Sequence, residues 1–365
     1  MGGATLSFLT LLDFVKKKGD DPIVIIPDNN FEFIQLLKAK NISFHVVPLR
    51  FHCYPPKNFG NWARCILFII YMLYYEAINK RKICKIIKKL RPSIIHTNVG
   101  PLATGHFAAQ KNGIPHIWHI REYGDLCLDL RFFPSQKKFH RMLSKDFVIS
   151  VTKDLIKYNK QENNQNASVV YDGVRDYKDI HYTFPKEKFF LCASRISPEK
   201  AYSDIIVVFS KFHKLHPEYK LIILGDGNKE YIDFLKKMSF VNDCSDSILF
   251  EGFKTNVSDY MQKATALLVG TEFEGFGRMT AEACFDGCIV IGKNSGGTRE
   301  IISQTGGFLY DTQEEMLGLM ETVAKLSEDK YHSIAKKAQQ TAQNLFSIEN
   351  YTEKIYSIYT RALRL

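Results

Sequence analysis

Two carboxylates flank a glycine-rich turn at the start of a predicted helix. Glu274 and Glu282 lie eight residues apart in the segment Glu-Gly-Phe-Gly-Arg-Met-Thr-Ala-Glu. Gly275 and Gly277 leave room for a ligand to approach main-chain N–H groups at the helix N-terminus, where the dipole favours phosphate and sugar oxygens. About two helical turns separate the carboxylates, so they can reach opposite ends of one extended ligand. Taken alone, the pattern is explained better by a carboxylate at a helix N-terminus and a solvated glutamate.

Three further segments favour the ligand-binding interpretation of these carboxylates, because each segment follows a predicted strand. Arg195 and Lys200 stand in Arg-Ile-Ser-Pro-Glu-Lys, where a guanidinium and an ammonium suit a diphosphate. The turn 225–227 and the loop 295–300 also come directly after strands, although a surface cation or a glycine turn is weak evidence alone. Open α/β sheets bind ligands at the carboxyl ends of their strands. The four features together therefore predict a phosphate-bearing ligand at that edge.

The elements that must position these residues alternate between short apolar runs and amphipathic stretches, which predicts an α/β fold with parallel sheets. The predicted strands are 23–26, 44–48, 94–97, 116–119, 147–150, 168–171, 189–193, 221–224, 248–251, 266–269, 289–291 and 307–310. The predicted helices include 6–18, 30–40, 62–90, 104–112, 203–213, 229–238 and 277–285. Two similar doubly wound units in tandem result.

A chain of 365 residues is too long for one core and favours two domains with a cleft between them. A polar passage, 172–188, separates them, so we expect an N-terminal domain over 1–175 and a C-terminal domain over 186–345. The amphipathic segment 348–365 predicts a helix that packs back on the first domain. A helical pattern follows Met1-Gly-Gly-Ala directly, so we expect the first strand of a doubly wound domain to be absent from this chain.

The net charge of +10 concentrates in two places, with seven cations within 80–91 and a second group at 137–141. A solvated helix face and a contact with an anionic membrane explain these clusters equally well. Nucleic acid is disfavoured because no recognised binding motif accompanies the charge. The apolar run 65–75 is too short to span a bilayer, and no signal peptide is evident. Eight cysteines without CxxC pairs or zinc spacing favour a reducing cytoplasm and no metal site.

Taken in order, these motifs resemble glycosyltransferase family 4. Members of that family carry a basic pair after a strand, a GxG turn, an E-x7-E motif and a GG-x-x-E loop. The resemblance covers nearly the whole chain. Gly2-Gly-Ala4 resembles the family's first glycine-rich loop, Tyr171-Asp-Gly-Val174 its interdomain element, and Gly306-Gly-Phe308 its Gly-Phe-Leu strand.

The resemblance implies the GT-B fold, in which two Rossmann-like doubly wound domains face each other across a cleft. It makes Arg195 and Lys200 ligands of the donor diphosphate, Glu282 the partner of the ribose hydroxyls, and Glu274 a contact of the donor sugar. His119 matches a histidine beside the reacting centre, with an orienting or a charge-stabilising role. The implied catalytic residues are His119, Glu274, Arg195 and Lys200. The implied donor-binding residues are Gly2, Gly3, Arg195, Lys200, Gly225, Glu274, Gly275, Phe276, Gly277 and Glu282.

The implied reaction is metal-independent transfer of a sugar from a nucleoside diphosphate sugar, with retained anomeric configuration, and a UDP-sugar is favoured over a GDP-sugar. The acceptor is a hydroxyl of a glycan or lipid-linked intermediate in bacterial capsule, exopolysaccharide or O-antigen assembly. The expected location is the cytoplasm, with peripheral contact to the inner face of the plasma membrane left open. No cofactor beyond the nucleotide sugar is expected. A GT-B epimerase, a phosphorylase and a non-catalytic sugar-nucleotide sensor remain as alternatives.

Overall fold

The computed structural model describes residues 2–57 and 59–364, without the side chain of Leu128. The chain divides into two compact units. The first unit contains Met1–Tyr171 together with Tyr351–Leu365, and the second contains Asp172–Asn350. The polar passage that begins at Asp172 therefore belongs with the second unit.

The first unit is built on parallel strands. They are β1 (Ile23–Ile26), β2 (Ser43–Val46), β3 (Ile95–Thr97), β4 (His116–Ile120), β5 (Phe147–Ser150) and β6 (Ala167–Val169). Strands β1 and β2 form one sheet, and β3-β4-β5-β6 form another. The helices are α1 (Gly3–Lys17), α2 (Phe31–Ala39), α3 (Trp62–Leu90), α4 (Thr104–Asn112), α5 (Asp125–Leu128), α6 (Gln136–Leu143) and α7 (Lys153–Tyr158). Every residue of β4 and β5 is buried, as expected for strands covered on both faces.

The second unit has one six-stranded parallel sheet. Its strands are β7 (Glu187–Ala193), β8 (Lys220–Leu224), β9 (Ile248–Gly252), β10 (Ala264–Val269), β11 (Val290–Lys293) and β12 (Phe308–Tyr310). Its helices are α8 (Tyr202–Leu215), α9 (Lys229–Val241), α10 (Val257–Lys263), α11 (Arg278–Phe285), α12 (Gly296–Thr305), α13 (Gln313–Ala324) and α14 (Glu328–Phe346). The strand order is β12-β11-β10-β7-β8-β9. The direction of winding therefore reverses between β7 and β10, which makes this the topological switch point.

The last helix, α15 (Ile348–Ala362), contributes its apolar face to the first unit. Tyr351, Ile355 and Ile358 are buried in one cluster with Ile117 of β4 and Ile149 of β5. The spacing of these side chains at three and four residues places them on one face, as the amphipathic pattern predicted.

The predicted fold class is confirmed. Every predicted strand is present, with ends that differ by at most two residues, and the long helix over 62–90 has the predicted bounds. Only Gly2 is described ahead of α1, where it is the N-cap, so the expectation of an absent first strand stays a prediction. None of the helices described here combines the length and the apolar character needed to cross a bilayer.

Candidate active site

An ion pair joins two of the predicted site residues at the topological switch point of the second unit. Lys200 lies in the 3-10 turn Pro198–Lys200 after β7, and Glu274 lies in the loop after β10. Lys200 Nζ is 2.7 Å from Glu274 Oε2, and the two side chains are only 21% and 22% exposed. Because β7 and β10 are neighbours, the sheet topology brings a cation and a carboxylate together from positions far apart in sequence.

The glycine turn after β8 packs directly on the loop after β7. Ile196 N–H donates to the Asp226 carbonyl oxygen at 2.8 Å. A Cβ at Gly225 would lie 1.9 Å from the Ser194 carbonyl oxygen, and φ there is +135°. Glycine is therefore required at position 225 by the protein's own backbone, whatever ligand binds nearby. Arg195 in this loop is 68% exposed at its side chain and pairs with Glu199 at 2.8 Å.

The turn between β10 and α11 is held by the N-terminus of α12. Gly297 N–H donates to the Glu274 carbonyl oxygen at 2.8 Å. A Cβ at Gly297 would lie 2.1 Å from the Phe276 carbonyl oxygen, so the two backbones meet without a side chain between them. Gly277, the N-cap of α11, has φ +98°, a conformation that suits glycine. The loop 295–300, with its Gly-Gly-x-x-Glu motif, thus fixes the shape of the Glu274–Gly277 turn. Gly275 lies in this turn.

Glu282 of α11 lies in a largely buried position beside a cation that the sequence analysis did not single out. Arg278 Nε is 2.7 Å from Glu282 Oε1, and Arg278 Nη2 donates to the Val174 carbonyl oxygen at 3.0 Å. Burial raises the pKa of Glu282, and the charge of Arg278 opposes this shift. The i,i+4 spacing of Arg278 and Glu282 on one helix was the available signal for this pair.

His119 lies in the first unit, in β4, and is fully buried. Its ring stacks on His96 with centroids 5.3 Å apart, and its Nε2 has no hydrogen-bond partner among the described residues. Burial, followed by the nearby charge of Arg121, lowers the pKa of His119 well below its usual range. The imidazole is therefore neutral at neutral pH. A neutral ring fits the orienting role better than the charge-stabilising one.

Gly2 and Gly3 lie at the N-terminus of α1 in the first unit. The Gly2 carbonyl oxygen accepts from the N–H groups of Thr5 and Leu6, at 3.1 Å and 3.3 Å. A Cβ at Gly2 would meet no atom within 4 Å. No contact among the described residues therefore demands glycine at position 2.

One trio of described residues has metal-ligating types in proximity: His106, His116 and Asp146, all buried in the first unit. Both histidines bond to the same carboxylate oxygen through Nδ1, at 2.6 Å and 2.7 Å. Nδ1 of each histidine is therefore engaged by the Asp146 carboxylate. The trio is thus a hydrogen-bonded network.

Comparison with known proteins shows what this chain is similar to. Residues 174–344 match glycosyl transferases group 1. N-acetyl-alpha-D-glucosaminyl L-malate synthase of Bacillus anthracis is 24% identical over 229 residues, which cover 60% of this chain and 58% of that protein. Alpha-monoglucosyldiacylglycerol synthase of Streptococcus pneumoniae is 25% identical over 181 residues, covering 48% of this chain and 40% of that protein. The chain spans about half the length of these curated relatives.

Solved structures match over the whole chain. HepE of Anabaena, crystallised with UDP, has a TM-score of 0.77 at 18% identity and covers 99% of this chain and 96% of its own. This likeness shows the GT-B fold. Residues 174–344 of the chain therefore resemble the group 1 glycosyl transferases, within a chain that has the GT-B fold.

Proposed function

We propose that this protein transfers a sugar from a UDP-sugar to a hydroxyl group, with retention of the anomeric configuration and without a metal ion. The observation that carries the proposal is the Lys200–Glu274 pair at the switch point of the second unit. A cation there suits a diphosphate and a carboxylate suits sugar hydroxyls, so one pair serves both halves of a nucleotide sugar. UDP in the HepE crystal and the sugar transfer implied by the relatives' names support the same assignment.

The main electrostatic task of the reaction is to stabilise the departing diphosphate. Lys200 supplies fixed positive charge, and Arg195 lies on the same loop with an exposed guanidinium. On donor binding, Lys200 exchanges part of its contact with Glu274 for phosphate oxygens, and Glu274 accepts hydrogen bonds from the sugar. Glu282 accepts from the ribose hydroxyls while Arg278 balances its charge. The leaving phosphate takes the acceptor proton, which needs no further base from this chain.

The acceptor side of the proposal rests on the first unit. The N-terminal half of α3 exposes large apolar side chains, with Trp62 at 76%, Leu67 at 65% and Ile70 at 58%. The cation-rich stretch 80–91 follows on the same helix. Apolar side chains next to cations suit the surface of an anionic bilayer. A lipid-linked or glycan acceptor in surface polysaccharide assembly at the inner face of the plasma membrane fits this surface.

The test is nucleotide release by the purified chain with UDP-, GDP- and ADP-sugars, with and without bacterial lipid extract. We expect lipid-dependent release from a UDP-sugar. Glu274→Gln should lower turnover by roughly 100-fold, since it removes a charge that orders Lys200 and the donor. Glu272→Gln is the matched control, because Glu272 is an exposed carboxylate two residues away, and it should retain full turnover.

The same assay separates the alternatives. An epimerase converts or hydrolyses its nucleotide sugar without any acceptor, and a phosphorylase requires inorganic phosphate. A sensor binds UDP-sugar in calorimetry yet releases no nucleotide with any extract. Equal turnover in the Glu274→Gln and Glu272→Gln variants would overturn the assignment of the donor site.

A further inference from the structure

A basic cavity of about 480 Å³ lies in the first unit between α3, α4 and α6. This volume is in the range of small-ligand sites. Five cationic side chains line it: Lys80, Lys111, Lys138, Arg141 and Lys145. Lys80, the first cation of the stretch 80–91 on α3, thus meets Lys138 and Arg141 of α6 at one cavity.

Carboxylates neutralise the cations around this cavity only weakly. Burial raises the pKa of Glu76 and the charge of Lys80 partly opposes that rise, so these two side chains interact without forming an ion pair. No Asp or Glu lines the cavity, and none of the five cations forms an ion pair with a described residue. Like charges gathered in a concave site repel one another and raise the local potential. A bound anion relieves that repulsion, so the lining favours a ligand with at least one negative charge.

Two residues that line the cavity, His106 and Gln110, belong to a buried polar network centred on Asp146. The buried Asp146 carboxylate accepts hydrogen bonds from His106 Nδ1 at 2.6 Å, His116 Nδ1 at 2.7 Å, Trp118 Nε1 at 2.8 Å and Gln110 Nε2 at 3.0 Å. Although burial opposes ionisation, the hydrogen bonds from the two histidines hold the pKa of Asp146 below its usual range. Because the carboxylate is ionised, the proton of each histidine lies on Nδ1.

One polar atom of this network has no hydrogen-bond partner among the described residues. The side chain of His106 is only 6% exposed and lines the cavity. Its Nδ1 is taken by Asp146, and its Nε2 makes no hydrogen bond to a described residue. Nε2 accepts from a protonated phosphate oxygen or, when it gains a proton, donates to an ionised one. The network fixes the orientation of the ring, so this atom is held in place before any ligand arrives.

We propose that this cavity binds a phosphate group, either of a soluble phosphorylated compound or of a lipid headgroup. Arg141 offers paired donors, the lysines add point charges and His106 adds one oriented ring nitrogen. In the network that holds His106, His116 begins β4 and Asp146 directly precedes β5, whereas His119 stands toward the carboxyl end of β4. The site is therefore separate from the sheet edge at which this fold class conducts chemistry.

The experiment measures binding of inorganic pyrophosphate by calorimetry, in an Arg195→Ala/Lys200→Ala background that removes the cations proposed for the donor diphosphate. The pocket variant adds Lys138→Gln, Arg141→Gln and Lys145→Gln. The control variant adds Lys17→Gln, Lys38→Gln and Lys157→Gln, which change the net charge equally at exposed positions of the first unit that do not line the cavity. All six side chains are exposed, so the fold should persist in both variants.

We expect about tenfold or greater loss of pyrophosphate affinity in the pocket variant and less than about twofold loss in the control. Equal losses in both, or no loss in either, would overturn the proposal. Vesicles with and without phosphatidylglycerol identify the source. If pyrophosphate displaces the protein from vesicles and the pocket variant does not bind vesicles, the ligand is a lipid headgroup. If the pocket variant loses pyrophosphate binding but still binds vesicles, the ligand is a soluble compound. Both results support a phosphate site, and neither depends on donor turnover.

Discussion

At the scale of single residues, backbone contact explains the glycines of the candidate donor site better than ligand contact does. Gly225 and Gly297 each lie where a Cβ would overlap a carbonyl group of another loop. Because glycine has no side chain, loops that follow different strands can hydrogen-bond to each other directly at these positions. The site is thus shaped by main-chain packing, and the ligand-binding side chains are attached to that frame.

Gly297→Ala should disrupt this frame. The new Cβ would lie 2.1 Å from the Phe276 carbonyl oxygen, and the backbone must shift to admit it, which we expect to cost roughly 3 kcal/mol and most of the donor affinity. Gly318→Ala in α13 is the control. No atom lies within 4 Å of a Cβ at Gly318, so alanine should stabilise the helix by about 0.5–1 kcal/mol. Circular dichroism during urea unfolding measures the stability of both variants. Unchanged stability of Gly297→Ala would contradict this account.

Two stacked histidines make the first unit sensitive to acid. Burial lowers the pKa of His96 to about 3, and it also lowers that of His119 well below the usual range. Below about pH 6.5 both histidines become protonated in the unfolded chain but stay neutral in the folded unit. The free energy of unfolding should therefore fall as the pH drops toward 3, by up to about 1.4 kcal/mol per pH unit for each histidine. Tryptophan emission reports this transition, because Trp62 and Trp118 both belong to the first unit.

His96→Gln should reduce the slope of the unfolding free energy against pH, because it removes the contribution of one of the two histidines. His45→Gln, which changes a histidine of β2 outside the stacked pair, serves as the control and should leave most of the slope intact. An identical slope in the wild-type chain and His96→Gln would show that other groups govern the acid sensitivity.

At the scale of elements, the two halves of α3 differ in burial. No residue from Trp62 to Tyr71 is buried, whereas Met72, Glu76 and Ile83 begin the half that packs on the unit. The helix begins with a cap, since Asn61 accepts from Arg64 N–H, so its exposed half is ordered by local structure. An ordered, apolar and unpaired surface of this kind is typical of a docking element.

Trp62 is the natural probe of that surface. Vesicles containing phosphatidylglycerol should shift the tryptophan emission to shorter wavelength, and Trp62→Phe should abolish the shift because Trp118 is fully buried. Ile70→Asp should weaken vesicle binding by roughly tenfold, the loss expected for one apolar side chain. Vesicles of phosphatidylcholine alone are the control. A shift that persists in Trp62→Phe would place the contact elsewhere.

At the scale of the whole molecule, the two ends of the chain share one unit. Tyr351 Oη donates to the Ser7 carbonyl oxygen at 3.2 Å, and the apolar face of α15 completes the cluster around Ile117 and Ile149. The first unit is therefore not a continuous segment of sequence. Its stability depends on residues that follow the second unit.

A chain that ends at Asn350 should lose the first unit's stability. Burial of Tyr351, Ile355 and Ile358 contributes on the order of 5 kcal/mol, comparable to the whole stability of a small domain. We expect red-shifted tryptophan emission and a much lower urea midpoint. A chain that ends at Ala362 keeps all of these side chains and should behave like the full chain. A first unit that unfolds at the same urea concentration in both would refute this role for α15.

The sequence alone determined the α/β fold class and most element bounds, because hydrophobic periodicity and turn residues are local properties. The long helix over 62–90 and the strands at 23–26 and 147–150 follow directly from such patterns. The motifs after β7, β8, β10 and β11 were also recognisable, since parallel strands place their following loops at one sheet edge.

Only the tertiary structure decided which of these residues meet. Strand order brings Lys200 to Glu274, and no local pattern encodes that order. Burial made His119 a neutral side chain, and packing of α3, α4 and α6 brought Lys80 to the same cavity as Lys138 and Arg141. Contacts between residues distant in sequence depend on how the sheets and helices pack, which hydrophobic periodicity constrains without specifying.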